Sequence, residues 1–467
     1  MGQLHDLTAL EQAAAVRSRT ISPVELVEHC LERVDRLNDD LGAFLTVTAE
    51  SARREARQAE ARVMAGEAIP PLHGVPIAIK DLNNTKGVRT TFGSVAGLEL
   101  VPDFDDDVVV SLRAAGTISL GKTNVPEFGL PNYTESAIGP PARTPWDLSR
   151  SAGGSSGGAA AAVAGGLIPF AHGNDGGGSV RIPAAVCGLV GIKPSRGRIS
   201  NGPASLDPGN LVHQGPLART VRDAAALLDA MADGTGGAVA LPPGRTFLEF
   251  AEREPGTLRI GRYCATDTAD GTLDPSVRAA YEATTELLVS LGHQVEELVP
   301  PPIAASLDDF MTMWSAAPAA VQLPPEAEAV LRPFTQWLRA RGAEIPATAY
   351  LRAADSVRAL GRRLMLAGEA FDAVLVPTVA LPPRPVGAAR DDDPEADFAG
   401  QADFAPWTAL YNVTGQPVLN VPVSWSETGL PIGMSLVGKL WDEASILSLA
   451  AQLETVRPWA DRKPACW

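Results

Sequence analysis

From residue 74 to residue 200 short β-rich runs, at 75–79, 117–120, 167–171 and 188–192, alternate with helical or glycine-rich pieces. That alternation predicts an α/β fold with a mixed or mostly parallel sheet. Residues 5–65 read as helices. Ser22-Pro23-Val24-Glu25 supplies a cap, a proline at the first helical position and an acid in the first turn. Val24, Leu26, Val27, Leu31 and Val34 then recur at close to helical spacing. Further along, a helix is expected over 216–232, strands over 258–263 and 293–298 around a helix at 275–291, and strands over 371–377, 418–423 and 432–437. A closing helix is expected over 442–456. The Asp- and Pro-rich run at 391–395 reads as a solvated loop. The wider stretch 384–405 reads as a lid or an idle solvent loop.

A chain of 467 residues is long enough for one large domain or two. No internal repeat or convincing linker divides it, which favours one domain over 1–467, with a central mixed sheet covered by helices on both faces. Within it we expect an N-terminal helical layer (1–65), a core that carries the chemistry (66–230) and a variable helical cap (299–345) containing Trp314 and Trp337. The hydrophobic fraction of 45% excludes a disordered chain. Asp and Glu number 55 against 39 Lys and Arg, and the net charge of −16 argues against a nucleic-acid or anionic-membrane partner. Cys30, Cys187, Cys264 and Cys466 lie far apart, with neither metal-ligand spacing nor a disulfide framework. The start of the chain lacks a basic segment followed by an apolar one. The stretch 157–171 is mostly Ala and Gly, and at about 15 residues is too short to cross a bilayer. The expectation is a cytoplasmic protein.

Two motifs invite misreading. Gly116-Thr117-Ile118-Ser119-Leu120-Gly121-Lys122-Thr123 fits the phosphate-loop pattern. A helix precedes it, however, and Pro126 follows too soon for a helix to start, so it reads as helix, glycine cap and buried strand. Gly153-Gly154-Ser155-Ser156-Gly157 fits the nucleophile-elbow pattern. No strand leads into it, and no histidine follows His293 in the chain.

A third constellation carries more chemistry. Lys80 ends the apolar run Gly74-Val75-Pro76-Ile77-Ala78-Ile79. Lysine is seldom buried without a role, and burial lowers its pKa until the neutral amine can act as a base. Two glycine-rich loops accompany it. One is Ser151-Ala152-Gly153-Gly154-Ser155-Ser156-Gly157-Gly158, leading into a small-residue helix. The other runs from His172-Gly173-Asn174-Asp175 through Gly176-Gly177-Gly178-Ser179 to Val180-Arg181-Ile182-Pro183. Three glycines before a serine let backbone N–H groups converge on one point, which is how an oxyanion hole is built without side chains.

At these residues the chain resembles the amidase signature family of serine hydrolases. The GGSSGG loop and the run Gly173 to Pro194 carry the likeness, and Gly121-Lys122-Thr123-Asn124, Gly215-Pro216-Leu217-Ala218-Arg219-Thr220 and Thr414-Gly415-Gln416-Pro417 extend it. The resemblance implies Lys80 as catalytic base, Ser155 as bridging cis-serine and Ser179 as nucleophile, with oxyanion donors at Gly176, Gly177, Gly178 and Ser179. Asn174 and Gly176 stand where the family usually has threonine. The expected consequence is for substrate shape, since both flank the backbone donors. The His172-Gly173-Asn174-Asp175 wording resembles the branch that opens nylon-oligomer cyclic dimers, and related members cleave carbamates. The implied activity is amide or carbamate (urethane) hydrolysis through an acyl-enzyme, without metal or cofactor, by a monomer or homodimer. The family also contains the amidase subunit of a tRNA-dependent amidotransferase, which is the alternative. Substrate-binding candidates are Phe128, Leu130 and Tyr133, with Trp314, Gln401 and Tyr411 from later segments.

Overall fold

The computed structural model describes residues 3–203, 207, 209–232, 236, 238–265, 267 and 273–467. Their strands are β1 (Phe44–Val47), β2 (Pro76–Lys80), β3 (Ile118–Thr123), β4 (Phe170–Asp175), β5 (Val190–Lys193), β6 (His213–Ala218), β7 (Arg259–Arg262), β8 (Gln294–Glu297), β9 (Ala373–Pro377), β10 (Val418–Trp425) and β11 (Pro431–Gly438). Eight of them form one mixed sheet in the order β4-β6-β5-β10-β11-β9-β7-β8. The β9–β7–β8 end is parallel and the other pairings are antiparallel. The remaining three form a small sheet, β1-β3-β2, in which β2 and β3 run parallel.

Strand alternation explains why helices cover both faces of the large sheet. In β9, Ala373 and Leu375 point into a core shared with the helices Val221–Met231, Pro275–Ser290 and Glu443–Val456. Val374 and Val376 point the other way and pack with Trp407 and Tyr411. Leu419 and Val421 follow the first set, and Val418 and Val437 follow the second. The result is the single α/β unit that the sequence predicts.

Local signals hold where they are strong. In the helix Pro23–Leu41 the Ser22 side chain accepts from Val24 N, the Glu25 carboxylate accepts from Ser22 N, and Gly42 ends the helix at φ 59°. The phosphate-loop look-alike is strand β3, as expected. A Cβ at Gly121 would lie 2.0 Å from Thr46 O, so glycine there lets β1 approach.

Weaker signals fail. Residues 216–218 are not helix but the end of β6, pairing with β4. The helix begins only at Val221, where the Thr220 side chain caps Asp223 N. The expected 384–405 loop contains the helix Pro394–Phe404, started by Asp393, whose side chain accepts from Ala396 N. Strand β1 interrupts the stretch 5–65 that reads as helices, and the helix Ala347–Gly368 lies beyond the expected cap at 299–345.

Candidate active site

The site lies where the two sheets meet. Strand β2 of the small sheet ends at Lys80, and edge strand β4 of the large sheet carries His172, Asn174 and Asp175. Lys80 N donates to His172 Nδ1 across the junction at 3.2 Å. The other ring nitrogen of His172 therefore carries the proton, donated to Gln214 Oε1 at 2.9 Å. Burial lowers the His172 pKa to about 3, which keeps the ring neutral.

The Lys80 side chain is fully buried. Its Nζ lies 2.9 Å from Ser155 Oγ, 3.0 Å from Asn174 O and 2.7 Å from Asn174 Oδ1. Burial holds its pKa well below the ordinary lysine value, opposed only in part by the charge of Asp175. A neutral amine in hydrogen-bond reach of a hydroxyl can take its proton.

Ser155 leads into the buried helix Gly157–Ala164, and the Gly154–Ser155 peptide bond is cis. The helix is built of small residues because backbone closes on it. A Cβ at Gly158 would lie 2.3 Å from Asn124 N and 2.5 Å from Ala43 O. At its start Ser156 N donates to Ser179 O at 3.1 Å, tying the two glycine-rich loops together. Ser155 and Ser179 both face one cleft, and no hydrogen bond joins their hydroxyls.

Asp175 shapes the turn before Ser179. Its carboxylate accepts from Gly178 N at 2.8 Å and Val180 N at 3.1 Å, and from Arg181 Nε and Nη2 at 2.9 and 2.8 Å. Burial alone would raise this carboxyl. The Arg181 guanidinium and the hydrogen bond from Asn412 outweigh it and hold the group below the usual carboxylate range. Gly178 has φ 132°, and a Cβ there would lie 2.5 Å from Thr408 Oγ1. Because the Gly178 amide is engaged by Asp175, it is not free for an oxyanion, which corrects the expectation for that residue. The amides of Gly176, Gly177 and Ser179 have no partner among the described residues.

Two clefts converge here, of about 980 and about 1200 Å³ counting their open mouths. Ser179, Leu130 and Trp314 belong to both. The first is apolar, walled by Phe310, Leu360, Phe398 and Leu410. The second is lined by both apolar residues, Phe92, Phe128 and Met313, and polar ones, Asp106, Asp207 and Gln214. Phe128, Leu130, Trp314 and Gln401 thus line the site. Tyr133 and Tyr411 do not, which corrects both expectations. Tyr133 donates to Asp397 at 2.8 Å, and Tyr411 shares a 2.8 Å hydrogen bond with Tyr263 inside the core.

Asn174 also needs correcting. Its side chain meets the lysine itself rather than merely flanking the turn. Asn83 and Asp106, which hold Asn174, and Asn412 and Thr408, which hold the turn, escaped the sequence reading. Asn83 sits three residues beyond Lys80 in an ordinary loop, and the others come from distant segments; none carries a local mark. Among the described residues no cluster of His, Cys, Asp or Glu is arranged to hold a metal, and no helix is long and apolar enough to cross a membrane.

The family model described as Amidase matches residues 25–447. The 6-aminohexanoate-cyclic-dimer hydrolase of Paenarthrobacter ureafaciens is 36% identical, across 98% of this chain and 96% of that protein. The acylamidase of Rhodococcus erythropolis is 35% identical, across 99% and 98%. A solved structure of 6-aminohexanoate cyclic dimer hydrolase complexed with substrate superposes with a TM-score of 0.91 at 34% identity, covering 99% of this chain and all of that one.

Proposed function

The chain belongs to the amidase signature family, and on that premise we propose that Lys80, Ser155 and Ser179 act as base, proton bridge and nucleophile in amide hydrolysis. That the protein is an amidase-family hydrolase acting on amides follows from its relatives. The assignment of roles rests on one observation, a fully buried lysine amine 2.9 Å from Ser155 Oγ.

In this reading neutral Lys80 takes the Ser155 proton as Ser155 takes that of Ser179. Ser179 Oγ then attacks the carbonyl carbon. Because the two hydroxyls are not hydrogen-bonded to each other, their contact forms when substrate is seated, as such contacts often tighten only in the complex. The oxyanion is received by the open amides of Gly176, Gly177 and Ser179, each such donor contributing about 3–4 kcal/mol to the transition state. Ser155 passes the proton to the leaving nitrogen, the C–N bond breaks, and water cleaves the acyl-enzyme by the reverse relay.

The two clefts that meet at Ser179 supply one lobe for the acyl group and one for the amine. The aromatic and aliphatic wall of the first lobe suits a neutral, apolar chain or ring. Together with the likeness to cyclic-dimer hydrolases, this favours nylon-type oligomers and hydrophobic amides. Carbamates fit the same relay, since their carbonyl also becomes tetrahedral. A panel of anilides, nitrophenyl carbamates and nylon-type oligomers, with Ser179→Ala as blank, tests the reading. Hydrolysis of apolar amides that the blank lacks supports it. Equal rates in enzyme and blank reject it.

A further inference from the structure

Besides its own carbon, an amine nitrogen has three directions, and at Lys80 three oxygens occupy them: Asn174 O, Asn174 Oδ1 and Ser155 Oγ. The two carbonyl oxygens can only accept; the hydroxyl can also donate. A neutral amine has two N–H bonds and one lone pair. Both N–H bonds go to Asn174, and the lone pair is left facing the Ser155 hydroxyl.

This holds only if Asn174 turns its oxygen, not its NH2 group, toward the amine. Asn174 Nδ2 donates to Asn83 Oδ1 at 3.2 Å, and Asn83 Nδ2 donates to Asp106 Oδ2 at 3.1 Å. Asp106 is held in turn by Asn84 N at 2.9 Å and Asn84 Nδ2 at 3.2 Å. A carboxylate only accepts, so Asp106 fixes the orientation of Asn83, and Asn83 fixes that of Asn174. Every side chain in the series is buried.

We propose that Asp106, Asn83 and Asn174 form a chain of oriented amides that occupies two directions of the Lys80 nitrogen and reserves the third for Ser155. The proposal rests on the assignment of Lys80 as base and deepens it. The three are positioning residues, acting through the lysine. The charged and titratable groups around the amine are Asp175 on the strand of Asn174, neutral His172 across the junction, the buried Asp81–Lys122 pair beside β2, and Asp106 at the far end of the chain.

The test compares pH profiles of kcat and KM, and of fluorophosphonate labelling at Ser179, in the full-length enzyme and its variants. Asn174→Asp puts a carboxylate where the amide oxygen now lies 2.7 Å from the amine. It should move the acid limb up by about one pH unit or more, with activity recovering at alkaline pH. Asn174→Leu should lower kcat about 10- to 100-fold with KM held within about twofold, since the loss falls on proton transfer. Asn174→Thr, whose hydroxyl can accept the same N–H, should restore most of it. Asn83→Leu, which frees Asn174 to flip, should fall between. Should the leucine variants not fold, the aspartate and threonine variants still decide the matter. An acid limb unmoved in Asn174→Asp, or wild-type kcat in Asn174→Leu, overturns the amide chain alone. Wild-type turnover in Lys80→Ala or Ser179→Ala would instead overturn the assignment beneath it.

Discussion

Lys80 Nζ and Ser155 Oγ lie 2.9 Å apart with both side chains withdrawn from solvent. An amine in such a place is a better proton acceptor for its neighbour at neutral pH than an exposed lysine, because its charged form has lost its hydration and its hydrogen-bond partners are the neutral oxygens of Ser155 and Asn174.

Burial lowers the folded-state pKa of Lys80, whereas the unfolded chain binds that proton up to about pH 10.4. Between the two values the unfolded state holds more protons, so this group makes native stability rise with pH across the window. Lys80→Met removes that contribution. Urea unfolding should show the stability of the variant, relative to wild type, declining as pH rises from about 7 to about 10. A difference independent of pH would mean that Lys80 is charged in the native state.

Ser179→Ala should reduce turnover by about 10³-fold or more, and Ser155→Ala or Lys80→Ala should cost about as much, since members of one relay are not additive. The double variant Lys80→Ala/Ser179→Ala should be little worse than either single one. Steady-state kinetics on one apolar amide measures all of these.

Asp175 is the centre of a fully buried ion pair with Arg181. Asp175→Ala leaves that guanidinium unpaired and should destabilise the fold by about 3–5 kcal/mol in denaturant titrations. It should also release the Gly178 amide and loosen the turn. The folded-state pKa of Asp175 is depressed, so its contribution is present above the unfolded value of about 3.9 and is lost as pH falls further.

Trp314 stacks on Phe310 with ring centroids 5.8 Å apart and lines both lobes. Trp314→Ala should lower kcat/KM for hydrophobic amides by about 10- to 200-fold and affect the smallest amides little. Competition between a small and a bulky amide reads the ratio directly.

Tyr411→Phe removes the hydrogen bond to Tyr263 deep in the core. It should cost about 1 kcal/mol of stability and leave kcat/KM unchanged. A fall in kcat/KM without loss of stability would put Tyr411 back among the substrate contacts.

How much of this was legible in the sequence depended on how local each signal was. Lys80, Ser155 and Ser179 stand in runs whose composition is odd in itself, a lysine closing an apolar strand and serines set among glycines. The capping box at Ser22 and Glu25 is equally local and equally readable. Asn83 and Asp106 look like ordinary loop residues until β2 and β4 are brought together, and the meeting of two sheets leaves no mark on either strand. Tyr411 was misplaced because an aromatic on a short helix reads alike whether it faces a cleft or a core. The helix Pro394–Phe404 was missed because its Asp, Gly and Pro residues suggest a loop, while its start depends on the side chain of Asp393.

The most direct measurement is the rate of fluorophosphonate labelling between about pH 6 and about pH 9, with the modified residue identified by mass spectrometry. A lysine-driven relay predicts a single adduct on Ser179, formed faster as pH rises, and little labelling in Lys80→Ala at any pH. A rate flat across that range, or an adduct on Ser155 or Ser156, would contradict it.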